Sequence, residues 1–470
     1  MKKLDDTKSY CPECLEIIDA IVVEESGRVF IAKKCDKHGD FKALHMWEKP
    51  KHYHALRNLF RESRHSSYPE ALELFITYRC NQKCPYCFAE SDENACQDEL
   101  TYDGIIQMLD GFKGSRIYLI GGEPTVRDDL AEIIKEIKKR GFDAILFTNG
   151  KKLEDMHYVE TLKKAGLDMV ILQFDSFSRQ QCIQIRGEDL LDVKNHAVEN
   201  LKKQRIPIMP FVLVIKGLND DQIGDFIKFS SSNYKDVCVL DFNSVWNIGR
   251  RPQDNTLTQA EIIEEIQKAS DLTDDDFIES TVFAYNFFEI IRKISGRKGL
   301  RVPECEIRCY VLTNGREMKA LGKTLDLHAI NKRLDDINRN MGQSKTLNTI
   351  RLIANAPYME FLRGIIKDMI LRRVLLSSSI DVIRSVVRRR PMKLKFPGIF
   401  SILIGRFHEL DNIDLGLVST CTLHANLPSG KHASFCEREL FRNAGKMERL
   451  CDIVENTART DMAAKTTRLP

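Results

Sequence analysis

The stretch "TYRCNQKCPYCFAES" (77–91) places three cysteines, Cys80, Cys84 and Cys87, within eight positions. Three thiolates spaced C-x3-C-x2-C on one loop can hold three irons of a cubane cluster and leave the fourth iron open. Two rivals stand beside that reading. A zinc site wants a fourth ligand at knuckle spacing, and the next cysteine, Cys96, lies nine residues further on. A disulfide would leave an odd thiol. The spacing favours the cluster, and so does the position of the loop directly after the strand candidate "ALELFITY" (71–78).

Working outward, the same alternation continues to about residue 250. Further strand candidates are "RIYLIGG" (116–122), "DAILFTNG" (143–150), "MVILQFD" (169–175), "IPIMPFVLVI" (206–215) and "VCVLDFNSV" (237–245). Amphipathic helical stretches such as "DDLAEIIKEIKKRG" (128–141) and "VKNHAVENLKKQR" (193–205) lie between them. Strands alternating with helices predict parallel βα units. Six in succession predict an α/β fold with a partial (β/α)6 barrel over 71–250, with ligands at the C-terminal ends of its strands. Residues 46–70 read as a linker or helical cover, 251–450 as mainly helical, and 451–470 as a polar tail.

The composition of the 470 residues, 43% hydrophobic and 30% charged with a net charge of +3, is that of a globular protein. Nothing in it demands nucleic acid. The start, "MKKLDDTKSYCPEC", has no apolar core of a signal peptide, and "FPGIFSILIG" (396–405) is too short to span a bilayer. A cytoplasmic location is expected. There, the fourteen cysteines are metal ligands or thiols before they are disulfides.

Residues 1–45 hold a compact set: Cys11 and Cys14 as CPxC, then Cys35 and His38 in "CDKHG" after a spacer of twenty residues. Two such knuckles can close a tetrahedral site around zinc or a single iron, like a zinc knuckle or rubredoxin. The segment between them reads as a β-hairpin turning at "ESG". A second set comprises Cys305 and Cys309 in "CEIRC" with Cys421 and Cys436 near the end. It is a candidate for an auxiliary cluster; unrelated buried thiols are the alternative.

CNQKCPYC, with Tyr86 before its last cysteine, resembles the signature of radical SAM enzymes. "GGEPTVRDD" (121–129), "FTNG" (147–150), "LQFDSF" (172–177) and "QIRG" (184–187) stand where that family has its supporting motifs. The resemblance implies a [4Fe–4S] cluster on the three cysteines and S-adenosylmethionine (SAM) bound by Gly121, Gly122, Glu123, Pro124, Asn149, Asp175 and Arg186. It also implies an electron donor such as ferredoxin or flavodoxin. One-electron cleavage of SAM would give methionine and a 5′-deoxyadenosyl radical that takes hydrogen from an unactivated carbon.

The order CPxC…CxxHG, radical SAM loop, "GLNDDQIGDFIKF" (217–229), CEIRC and "CTLHANLPSGKHASFC" (421–436) is similar to the tetraether lipid synthases and their bacterial relatives, a group also described as pterin-modifying methylases. Members carry a further cysteine-rich segment before the radical SAM loop, whereas residues 39–79 here contain none. The stretch 363–406 mixes eleven Lys/Arg with Ile, Leu, Val and Phe, consistent with peripheral contact with an anionic membrane or with a solvated basic face. The leading expectation is hydrogen abstraction from a lipid alkyl chain leading to carbon–carbon bond formation. Methylation or other modification of a small soluble molecule such as a pterin is the alternative, with peptide maturation third. A purely structural, zinc-binding module is the non-enzymatic rival.

Overall fold

The computed structural model describes residues 1–62, 69–94, 99–251, 255–295, 302–341 and 398–466. The basic stretch 363–406 lies outside them except for its end, 398–406, and Cys96 lies outside as well. Among the described residues no helix is long and apolar enough to cross a membrane.

The N-terminal unit is an antiparallel sheet of β1 (Lys2–Tyr10), β2 (Ile17–Glu25), β3 (Arg28–Cys35) and β4 (Gly39–Leu44), paired in chain order. The hairpin expected at "ESG" joins β2 to β3. Ser26 and Gly27, at φ 50° and 73°, form the two-residue turn whose twist suits a hairpin.

The six expected parallel strands follow: β5 (Ala71–Thr77), β6 (Arg116–Gly121), β7 (Asp143–Thr148), β8 (Met169–Gln173), β9 (Ile208–Val214) and β10 (Val239–Ser244). Their helices are amphipathic at the right period; Leu130–Lys139 turns Leu130, Ile133, Ile134 and Ile137 toward the sheet. Alternate strand residues, Leu74, Leu119, Leu146, Val170, Val212 and Phe242 among them, join that helix-facing core. The intervening residues face the other side.

The C-terminal region contains the expected helices, among them Gln259–Ala269, Asp274–Ser295 and Leu327–Asn340. It also extends the same sheet at both edges. β11 (Glu306–Thr313), β12 (Met318–Ala320) and β13 (Ile399–Gly405) continue beyond β10, while β14 (Leu423–Asn426) and β15 (His432–Ser434) continue beyond β5. β13 is the apolar run "FPGIFSILIG"; a run that short has no period to separate strand from buried helix. β13 and β14 are both parallel to their neighbours, so eight adjacent strands run parallel.

The sheet is curled. β11 and β6 are six strand positions apart, about 29 Å if the sheet were flat. Yet Glu306 on β11 lies within electrostatic reach of both Arg116 and Tyr118 on β6. One face of the sheet therefore encloses an interior.

Candidate active site

Cys80, Cys84 and Cys87 sit on the loop leaving β5, with Cys80 and Cys84 buried. A glycine and an arginine that sequence reasoning missed hold this loop. Cys87 and Arg250 exchange backbone hydrogen bonds of 3.0 and 2.9 Å. The Arg250 side chain donates to the carbonyls of Cys84 (3.2 Å), Glu90 (3.0 Å) and Ser91. A Cβ at Gly249 would lie 2.4 Å from the Cys87 carbonyl, so only glycine allows this approach. The available signal, a Gly-Arg pair shortly after the sixth strand, is weak.

Burial, with Glu123 and the other thiols adding to it, pushes the Cys80 thiol up to about 12. Burial raises Cys84 too, against the pull of Arg186. Such thiols become thiolates when a metal supplies the compensating charge. Three soft sulfurs, two of them buried, with Arg186 beside Cys84, fit an iron–sulfur cluster with one open iron.

The partner motifs converge on the same loop. A Cβ at Gly121 would lie 2.0 Å from the Thr77 carbonyl, and one at Gly122 would lie 2.4 Å from that of Arg79. These glycines let the β6 loop touch the start of the cysteine loop, and Gly122 and Glu123 donate to those carbonyls at 2.8 and 2.9 Å. Pro124 starts the short turn that follows. Glu123 is 1% exposed and fully engaged: Thr125 N–H and hydroxyl, the Thr148 hydroxyl and Asn149 N–H all donate to it at 2.7–3.0 Å. It ties the β6 loop to the end of β7.

Asn149 donates to Asn81 of the cysteine loop at 2.8 Å. Asp175 and Arg186 form a buried two-pronged pair at 2.7 and 2.8 Å; Asp175 also accepts from Leu213 N–H, and Arg186 donates to the Tyr86 carbonyl at 3.3 Å. The structure thus brings all of these residues around the cysteines, each already engaged by a protein partner. Lys194, which the sequence reading passed over on its helix, is 2% exposed and donates to the Asn149 carbonyl. Burial lowers it to about 8.

The N-terminal set assembles as expected. The ligand atoms of Cys11, Cys14, Cys35 and His38 all lie within 4.8 Å of one another. Nδ1 of His38 is 3.5 and 3.4 Å from the sulfurs of Cys11 and Cys35. Burial raises the Cys11 thiol, but hydrogen bonds from the backbone of Cys14 and Glu13 outweigh it and bring the thiol below its usual value. Three sulfurs and one imidazole nitrogen fit zinc or a single iron.

The C-terminal set needs a correction. Cys309 points to the helix side of β11 with Ile307 and Val311, facing Asp276, Ser280 and Lys323. It does not join the others, because it is fixed within β11 on the helix-facing side, whereas Cys305 lies in the turn before the strand. Cys305, Cys421 and Cys436 do gather within electrostatic reach of one another, beside buried Glu304.

Comparison with known proteins agrees with this layout. Residues 74–230 match the radical SAM superfamily, and residues 3–47 match the HMPTM N-terminal zinc ribbon domain. The chain is 27% identical over 473 residues to the 7,8-dihydro-6-hydroxymethylpterin dimethyltransferase of Methanocaldococcus jannaschii, covering 92% of each chain. It is 34% identical over 161 residues to the probable GTP 3′,8-cyclase of Pyrococcus abyssi, covering 34% of this chain and 52% of that one. Among solved structures, Streptococcus suis SuiB bound to S-adenosylmethionine aligns with a TM-score of 0.38 at 16% identity, over 47% of this chain and 50% of that one. The chain spans about half the length of the cyclase and of SuiB. With the three-cysteine loop, the glycine-lined β6 turn and the N-terminal four-ligand site in place, residues 74–230 form a radical SAM domain preceded by a zinc ribbon over 3–47.

Proposed function

We propose that this protein is a radical SAM enzyme that modifies a small, polar nitrogen heterocycle of the pterin type, methylation being the reaction named for its Methanocaldococcus relative. The observation that carries this reading is the inner face of the curled sheet. Glu73, Tyr118, Asp241, Asn243, Glu306 and Arg308 lie on it, and Glu306 is within electrostatic reach of Tyr118, Asp241 and Arg308. Convergent polar groups suit a soluble, hydrogen-bonding substrate. An alkyl chain would need an apolar tunnel, and burying these groups against it would leave them unpaired. The lipid reading rests on the likeness to the tetraether lipid synthases and on 363–406, most of which lies outside the described residues.

In this reading Cys80, Cys84 and Cys87 would hold the cluster, and the loop at Gly121 and Gly122 would hold SAM by its amine. Bound there, cluster and SAM would supply radical hydrogen abstraction, fed by a low-potential electron donor. Glu123 and Asn149 hold the β6 and β7 loops against the cysteine loop. Arg186 places a positive charge beside the Cys84 sulfur, and Asp175 fixes that guanidinium in position. Cys305, Cys421 and Cys436 are the candidate holders of an auxiliary cluster.

Anaerobic incubation with SAM, reductant and 7,8-dihydro-6-hydroxymethylpterin should raise 5′-deoxyadenosine above the substrate-free level and yield a pterin of altered mass. If lipid extract does so and the pterin does not, this reading is wrong.

A further inference from the structure

The interior of the sheet holds polar groups that the loops around the cysteines do not use. Asp241 on β10 is 6% exposed, and its Oδ1 has no hydrogen-bond partner. Asn243, on the same face, is 4% exposed, and its Nδ2 has none either. The neighbouring strand leaves room for that amide: at Gly405 a Cβ would lie 2.2 Å from the Asn243 Oδ1. One strand further, Glu306 and Arg308 stand in the same two rows, joined at 2.6 Å, and Nε of Arg308 is again without a partner. On its other side Asp241 is in register with Phe211.

Apolar side chains would fill these strand positions at lower cost than unsatisfied polar ones. What remains open is an acceptor at Asp241 flanked by donors at Asn243 and Arg308. The complementary edge presents two parallel N–H donors next to a carbonyl. A 2-amino-4-oxopyrimidine ring has that edge: its amino group and ring N–H can donate together to one carboxylate, while its oxo group accepts.

We infer that Asp241 and Asn243 form the specificity-determining subsite for a 2-amino-4-oxopyrimidine ring. Asp241, with Arg308 in its row, receives the amino and ring N–H groups, and Asn243 donates to the oxo group. The inference deepens the pterin reading and rests on it for location, but the class is wider, since guanine carries the same edge. Burial, with Glu306 adding and the Asn243 amide and Arg308 opposing, holds the Asp241 carboxyl well above the usual carboxylate range; two incoming donors would favour its charged form.

The test is anaerobic titration calorimetry on the iron-loaded full chain with SAM present and no reductant. The probes are 7,8-dihydro-6-hydroxymethylpterin, guanosine, and their counterparts with the 2-amino group replaced by oxo or by hydrogen, 7,8-dihydro-6-hydroxymethyllumazine and inosine. The wild type should favour an amino-bearing ligand over its counterpart by about tenfold or more, and Asp241→Asn should weaken that ligand by about tenfold to a hundredfold. Ligand-free Asp241→Asn should melt no lower than wild type, because it removes an unpaired buried acid. If guanosine binds through Asp241 and the pterin does not, the subsite stands and the pterin reading falls. Equal ligand affinity in wild type and variant overturns the subsite and leaves the pterin reading intact. Failure of the wild type to bind either amino-bearing ligand overturns both. A variant that melts lower or fails to fold shows a structural role and also overturns the subsite.

Discussion

Gly121 and Gly27 both hold positive φ, at 141° and 73°, but their surroundings differ. Around Gly27 a Cβ would meet nothing within 4 Å, whereas at Gly121 it would meet the Thr77 carbonyl at 2.0 Å. Gly27→Ala should therefore cost about 1 kcal/mol from backbone conformation alone. Gly121→Ala should cost about 3 kcal/mol or more and reduce iron retention, as it separates the β6 loop from the cysteine loop. Urea midpoints and iron per chain check both. Glu73 makes a pH prediction. Burial, with Glu439 adding and Arg438 opposing, pushes its carboxyl up to about 8. The folded chain thus holds a proton that the unfolded chain has released, so this contribution to stability is complete below the ordinary glutamate range and is lost as pH rises through about 8. Glu73→Gln should flatten that part of the stability profile and stabilise the chain on the order of 1 kcal/mol above it, read by urea melts on either side.

The cysteine loop is held by elements far apart in the chain. Arg250, after β10, gathers three of its carbonyls. From the far end, the helix Phe435–Asn443 covers it: Arg442 donates to the Phe88 carbonyl at 2.7 Å and Arg438 to the Tyr78 hydroxyl at 2.7 Å. Phe75, Phe88, Trp246, Phe407 and Phe435 pack between them in stacked, tilted and edge-on contacts. Arg250→Ala removes several charge-assisted hydrogen bonds and should destabilise by about 2–3 kcal/mol, with iron content falling below wild type. Arg250→Lys should recover little, because one ammonium cannot span three carbonyls. Unchanged iron content in Arg250→Ala would show that the loop keeps its shape unaided.

The ribbon and the barrel form one body through the C-terminal region. Lys33 donates to Ser9, to the Tyr10 carbonyl and to the Leu410 carbonyl at 2.6–2.9 Å; Ser9 donates to the Ile413 carbonyl and Tyr10 to Glu437. Arg449 reaches back to the carbonyl of Cys14, one of the metal-site residues. Metal binding at a four-ligand site is folding free energy for so small a sheet. Cys14→Ser should therefore unfold the ribbon, expose it to protease and lower the melting temperature by about 5 °C, while iron at the cysteine loop is largely kept. Loss of all iron in that variant would mean that the two sites fold as one unit.

Local spacing made much of this protein legible from the chain alone. C-x3-C-x2-C, GGEP, the paired N-terminal knuckles and the six βα units depend on residues close in sequence, whose geometry is set by turn and strand periodicity. What could not be read depends on register between distant segments. Cys309 matched a ligand spacing, but it lies inside β11 in the helix-facing core, whereas Cys305 lies in the turn before that strand, near Cys421 and Cys436. "FPGIFSILIG" had no period of its own, and it became β13 because β10 and β11 present matching edges on either side of it. Asp241 and Asn243 were visible as polar residues at i and i+2 in an apolar strand. Their meaning comes from the curl of the sheet, which brings β11 and β6 to face them across an interior too dry to leave such groups idle without cost.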